Sequence, residues 1–224
     1  MRNLEGVIID MEGTLINGAS ILRKSYVSCL TGFGVPYTEA DHRLYIGKND
    51  RHIFHDLKNR HPNLITPLPM LAKIRNDHYE RLLQSNVVLQ PGALEFLDNL
   101  KRHGIPIALA SYATKPQING MLGALKLEHV FNVIVSNEMV ARVKPEPDIY
   151  QLAVHYLGVQ SDACIVFESS EIGVEAASNA GTRVVAVPTS ATEYEDYTLA
   201  DLQIDSFEGI DLEDLAMEVA LELP

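Results

Sequence analysis

Short uninterrupted apolar runs recur along the chain, at residues 6–9, 105–110, 133–135, 163–167 and 183–187. Each has the length and composition of a strand buried on both faces, and each gives way to polar or glycine-bearing residues. The intervening segments show helical spacing instead. Ala93, Leu94, Leu97 and Leu100 share one face, as do Tyr150, Leu152, Ala153 and Tyr156. Strands alternating with helices of this length predict βαβ units and an α/β fold built on a doubly wound parallel sheet. Ligands bind such sheets beyond the carboxyl ends of the strands, so the polar residues just after each apolar run are the candidates for chemistry.

Between Leu15 and about Val88 the pattern changes, because apolar residues recur only at helical spacing. Tyr26-Val27-Cys29-Leu30, Ile53-Phe54-Leu57 and Leu71-Ile74-Tyr79-Leu82-Leu83 each mark an amphipathic helix. The proline-rich stretch 61–69 divides the series, and Gln90-Pro91-Gly92 marks the return to the sheet. The expected organisation is a core domain of residues 1–15 and 88–224, with residues 16–87 inserted as a helical cap. The acidic stretch 212–223 reads as a surface helix.

Composition narrows the function classes. The chain of 224 residues carries a formal net charge of −12, which argues against a nucleic-acid partner, since phosphate neutralisation needs clustered Lys and Arg. A small phosphorylated substrate needs only a few local cations and stays open. Cys29 and Cys164, the two cysteines, lie far apart in apolar surroundings and read as buried small hydrophobes in a reducing compartment. No apolar run approaches the roughly 20 residues of a membrane span, and the start lacks the pattern of a secretory signal. A cytoplasmic protein with no membrane partner, acting as a monomer or homodimer, is expected.

The segment Asp10-Met11-Glu12-Gly13-Thr14 places two carboxylates two residues apart directly after a buried strand. A carboxylate nucleophile splits phosphate-ester hydrolysis into two easier steps, and a second carboxylate can protonate the leaving oxygen and then activate water. Taken alone, both could equally be solvated loop acids. Ser111 follows the run ending at Ala110, where a hydroxyl and backbone N–H groups could hold a phosphoryl oxygen. Lys144 opens Lys144-Pro145-Glu146-Pro147-Asp148-Ile149-Tyr150, whose prolines fix the backbone ahead of a helix. Glu168 ends another strand and is followed by Ser169-Ser170-Glu171-Ile172-Gly173.

This ordered set resembles the four motifs of the haloacid dehalogenase superfamily, over residues of about 5 to 190. Its texture is similar to β-phosphoglucomutase and the phosphatases around it. The resemblance implies a Rossmann-like core with a helical cap and a phosphatase acting on a small phosphorylated metabolite through an aspartyl-phosphate. Asp10 would be nucleophile and metal ligand, and Glu12 acid/base with a metal-binding carbonyl. Ser111 and Lys144 would hold the phosphoryl group, while Glu168 and Ser169 occupy the metal-side positions of the last motif. The metal implied is Mg²⁺. Lys48 and Arg51, in Gly47-Lys48-Asn49-Asp50-Arg51, stand where relatives have a cap segment that contacts the substrate.

Two positions depart from the family pattern. Glu12 replaces the usual Asp, although the enolase-phosphatase branch carries the same Asp-x-Glu-Gly-Thr. Ser169 replaces a metal-binding Asp, and a hydroxyl is a poorer Mg²⁺ ligand than a carboxylate. Either Glu168 or Glu171 could compensate. A phosphomutase, or a weakened member that binds without turnover, are the alternative readings. The metal-independent dehalogenases also carry Ser-Ser in this region, but lack a carboxylate two residues after the nucleophile.

Overall fold

A computed structural model describes residues 2–45, 50–190 and 192–224, the side chains of residues 19–20 and 84–86 excepted. Two compact units emerge, residues 1–17 with 88–224, and residues 18–87.

In chain order, β1 (Arg2–Asn3) and β2 (Gly6–Asp10) lead into the helical unit. That unit comprises α1 (Gly18–Thr31), α2 (Glu39–Leu44), α3 (Asp50–Arg60) and α4 (Leu68–Asn86). The core resumes with α5 (Ala93–Arg102), β3 (Ile107–Ser111), α6 (Lys115–Leu125) and β4 (Val133–Ser136). It continues through α7 (Asp148–Leu157), β5 (Cys164–Glu168), α8 (Glu171–Asn179) and β6 (Arg183–Ala186). The last elements are β7 (Leu202–Gln203), α9 (Leu212–Glu218) and β8 (Leu221–Glu222).

Six strands form one parallel sheet in the order β4-β3-β2-β5-β6-β7. The chain winds outward from β2 in both directions, so the doubly wound α/β fold expected from the sequence is what forms. Every residue of β2, β3 and β5 is buried, which explains their unbroken apolar runs. On one face Ile8, Ala108, Val135, Ile149, Tyr150, Val166 and Val174 pack together. Elsewhere in the core Phe96, Phe167 and Phe207 form an aromatic triad with ring centroids 5.0, 5.1 and 5.4 Å apart. Edge and tilted contacts of this kind suit the aromatic quadrupole.

In the helical unit, Tyr26, Leu30, Phe54, Leu57 and Leu71 build a separate core. Arg75 pairs with Asp50 at 2.5 Å and lies over the rings of Tyr26 and Tyr79. α2 escapes an apolar-periodicity reading because it buries no side chain; a capping box of Thr38 and Asp41 starts it instead. The acidic tail is only partly the expected helix. α9 ends at Glu218, and Leu221–Glu222 then pairs in parallel with Arg2–Asn3, burying Leu221. Among the described residues no helix is long and apolar enough to cross a membrane.

Candidate active site

The three central strands end side by side. Asp10 pairs with Ala110 in register, and Ile9 with Phe167, so Asp10, Ser111 and Glu168 stand at adjacent carboxyl ends. The chain after Asp10 folds into a tight loop: Leu15 N–H donates to the Asp10 carbonyl at 3.1 Å and Ile16 N–H to that of Met11 at 2.8 Å. Gly13 takes φ +91°, where a side chain would be strained. The Gln90 side chain fixes the loop by donating to the Gly13 carbonyl at 2.6 Å.

Lys144 reaches the strand ends from the loop after β4. Its ammonium donates to Asp10 Oδ1 at 2.6 Å and to Glu168 Oε1 at 2.5 Å, and it lies 5.0 Å from the centroid of the Tyr150 ring. Asp10, Lys144 and Glu168 are all buried. The other Asp10 oxygen accepts from the Thr14 hydroxyl at 3.1 Å. Burial and the neighbouring Glu168 charge push the Asp10 carboxyl up to about 7, against the opposing pull of Lys144. Burial acts the same way on Glu168, but Lys144, Tyr150 and backbone N–H groups outweigh it and hold this carboxyl below its usual range. Lys144 is disfavoured by burial, yet the two carboxylates keep it firmly protonated.

Ser111 is buried, and its Oγ accepts from the Ala113 amide at 3.0 Å, which leaves the hydroxyl hydrogen to be donated. Glu12 is exposed in the loop after Asp10. Ser169 is buried; a Cβ on Gly13 would stand 2.4 Å from its Oγ, so that hydroxyl packs against the loop bearing Asp10 and Glu12. Glu171 is exposed, and its carboxylate accepts from the Asp196 amide. Arg51 is exposed in the first turn of α3, where it lines an open cleft of about 410 Å³ with His52, His55 and Asp56. Lys48 lies outside the described residues.

Tyr150 was not among the expected site residues. Its hydroxyl donates to Glu168 Oε1 at 2.7 Å from a fully buried position on α7. A phenol on a core face needs a polar partner, and that requirement was the available signal. Ser170, also outside the expected site residues, both caps α8 and donates to Glu168 Oε2 at 3.0 Å.

The donors for a divalent cation are sparse. Asp10 offers an oxygen that accepts, among the described residues, from the Thr14 hydroxyl, and the Glu12 carbonyl follows in the same loop. Ser169 is neutral. Among the described residues no group of three or more His, Cys, Asp or Glu side chains could hold a metal ion. Such a set fits a Mg²⁺ that keeps several waters and takes further oxygens from a bound phosphate, rather than one caged by protein.

Fold and site together define a doubly wound α/β enzyme with a buried carboxylate–ammonium–carboxylate cluster at its central strand ends. The chain belongs to the haloacid dehalogenase-like hydrolase family, whose model matches residues 7–187. Its relatives include Protein CbbY of Rhodobacter capsulatus, 29% identical over 99% of this chain and 99% of that protein. The phosphorylated carbohydrates phosphatase of Thermotoga maritima is 32% identical over 80% of this chain and 82% of that protein. Among solved structures, CbbY of Rhodobacter sphaeroides in complex with xylulose-1,5-bisphosphate matches with a TM-score of 0.70 and 26% identity. That match covers 91% of this chain and 95% of the other. The protein is thus a hydrolase of this family, and its relatives place it among the phosphatases.

Proposed function

We propose that the protein hydrolyses a small phosphate monoester, a phosphorylated carbohydrate, through a covalent phosphoryl intermediate on Asp10. The observation that carries this reading is the Asp10 carboxylate, held by Lys144 at 2.6 Å at the end of β2 and flanked by Ser111 on the adjacent strand end. An Asp10 oxygen attacks phosphorus, the bond from phosphorus to the ester oxygen breaks, and Glu12 gives its proton to the departing alkoxide. Glu12, now a carboxylate, takes a proton from water, whose oxygen displaces the Asp10 carboxylate and yields inorganic phosphate.

Lys144 offsets the charge that builds on the transferring oxygens, in a buried setting where such an interaction is strong. Ser111 donates its hydroxyl hydrogen to one of those oxygens. Mg²⁺, when bound, would draw further charge from the phosphoryl group, and Asp10 and the Glu12 carbonyl are the groups that would hold it. Lys48 and Arg51 are proposed contacts for anionic groups of the substrate. A net charge of −12 favours a small metabolite over nucleic acid. We place the enzyme in the cytoplasm, as a monomer or homodimer.

Phosphate release from p-nitrophenyl phosphate, with and without Mg²⁺, tests the reading. Turnover by the wild type that disappears in Asp10→Asn supports it. Absent turnover, or turnover unchanged in Asp10→Asn, would overturn it.

A further inference from the structure

Glu168 occupies the strand-end position at which the family resemblance implies a metal ligand, yet both of its oxygens are committed within the protein. Oε1 accepts from Lys144 Nζ at 2.5 Å and from the Tyr150 hydroxyl at 2.7 Å. Oε2 accepts from the Ser169 amide at 2.8 Å, and from the Ser170 amide and hydroxyl at 3.0 Å each. These donors fill the roughly four lone-pair sites of an ionised carboxylate. Gly173 closes another side, since a Cβ there would stand 1.9 Å from Oε1 and 2.4 Å from Oε2. With Glu168 only 1% exposed, a cation could reach it only by displacing a bonded donor. Its neighbour Ser169 offers no charge in compensation.

We propose that Glu168 is a positioning residue for Lys144 and not a metal ligand, and that the protein has no divalent-cation site of its own. Mg²⁺ would be held only once a phosphate is bound, with Asp10 and the Glu12 carbonyl as the protein groups that hold it. The second part rests on the phosphatase reading; the first does not. Two carboxylates and one ammonium leave the resting cluster with a single net negative charge and Asp10 as its one carboxylate not already saturated by donors, whereas a bound phosphate adds the further negative charge and hard oxygens that Mg²⁺ requires. Lys144 supplies the resident positive charge, and Glu168 sets where that charge sits.

Calorimetric titration of Mg²⁺ into the whole protein, alone and with saturating inorganic phosphate, tests the metal claim. The wild type should show no saturable binding alone and saturable binding with phosphate, and Glu168→Gln should keep both behaviours. Ser169→Asp should bind Mg²⁺ saturably without phosphate, where the wild type does not. Saturable binding by the wild type alone that Glu168→Gln loses would overturn the proposal. So would no binding even with phosphate, or no gain in Ser169→Asp.

The positioning role has its own readout in lysine side chains labelled with ¹⁵N. A buried, bonded ammonium should give a slowly exchanging signal, assigned by its absence in Lys144→Arg, lost in Glu168→Gln and retained in Ser169→Asp. A signal that survives Glu168→Gln contradicts the role. Should Glu168→Gln fail to fold, the wild-type and Ser169→Asp titrations decide the metal claim by themselves. None of these measurements needs turnover, so failure of the phosphatase reading, seen as absent ester hydrolysis, stays distinguishable.

Discussion

Replacing Gly173 by alanine should destabilise the protein, against the usual preference of helices for alanine. In a helix interior that change ordinarily stabilises by about 0.5–1 kcal/mol. Here the new Cβ would stand 1.9 Å from Glu168 Oε1 and 2.0 Å from its Cδ. Ordinary contacts lie near 3.5–4.0 Å, so the carboxylate must retreat by roughly 1.5 Å. It cannot do so while keeping its bonds to Lys144, Tyr150, Ser169 and Ser170. Losing two bonds to a charged group costs about 3–6 kcal/mol, since each contributes about 1.5–3 kcal/mol. After the helix gain, a net loss of about 2–5 kcal/mol remains. For a chain of this size about 2–4 °C of melting temperature accompanies each kcal/mol, so Gly173→Ala should melt at least about 4 °C below the wild type by scanning calorimetry. Gly123→Ala in α6 is the control, because its Cβ would meet nothing closer than 3.6 Å. That control should be neutral or slightly stabilising. A Gly173→Ala protein melting at or above the wild type would refute the packing of Glu168 beneath α8.

Tyr150→Phe removes a hydroxyl bonded to Glu168 but keeps the ring beside Lys144, and should cost about 1.5–3 kcal/mol in chemical denaturation. Unchanged stability would show that the bond contributes nothing. Phe207→Ala opens a cavity against Phe96 and Phe167 and should cost about 3–5 kcal/mol; a loss under about 1 kcal/mol would contradict the buried triad. Asp10 attacks as a carboxylate, and burial with the Glu168 charge raises its pKa to about 7. Below that value the nucleophile becomes protonated, so kcat/KM measured without added metal should fall as pH drops through about 7. A profile flat across neutrality would contradict this assignment.

Much of the core was legible in the sequence because strands buried on both faces leave unbroken apolar runs, and those runs place Asp10, Ser111 and Glu168 just at their ends. The short pieces were not legible. Leu202–Gln203 and Leu221–Glu222 are two-residue strands held by pairing with a neighbour, and two residues cannot display a period. α2 owes its start to Thr38 and Asp41 rather than to an apolar face. At the site, motif spacing brought Lys144 forward, but which oxygens it bonds depends on side-chain geometry across 134 residues from Asp10. Tyr150 looked like a helix-face hydrophobe because its polar end matters only once Glu168 is known to lie opposite. Gly173 was visible as a small residue in a motif; its purpose, making room for a carboxylate, needed coordinates.

The central claim is that Asp10 itself takes the phosphoryl group, and covalent trapping tests it most directly. The enzyme should be mixed with a phosphate monoester in single turnover, quenched in acid, digested and weighed by mass spectrometry. The account predicts one added phosphoryl group on the peptide containing Asp10, formed and lost at rates compatible with turnover and absent from Asp10→Asn. Ester hydrolysis at the normal rate with Asp10 never carrying phosphate, or with the group found on another residue, would contradict it.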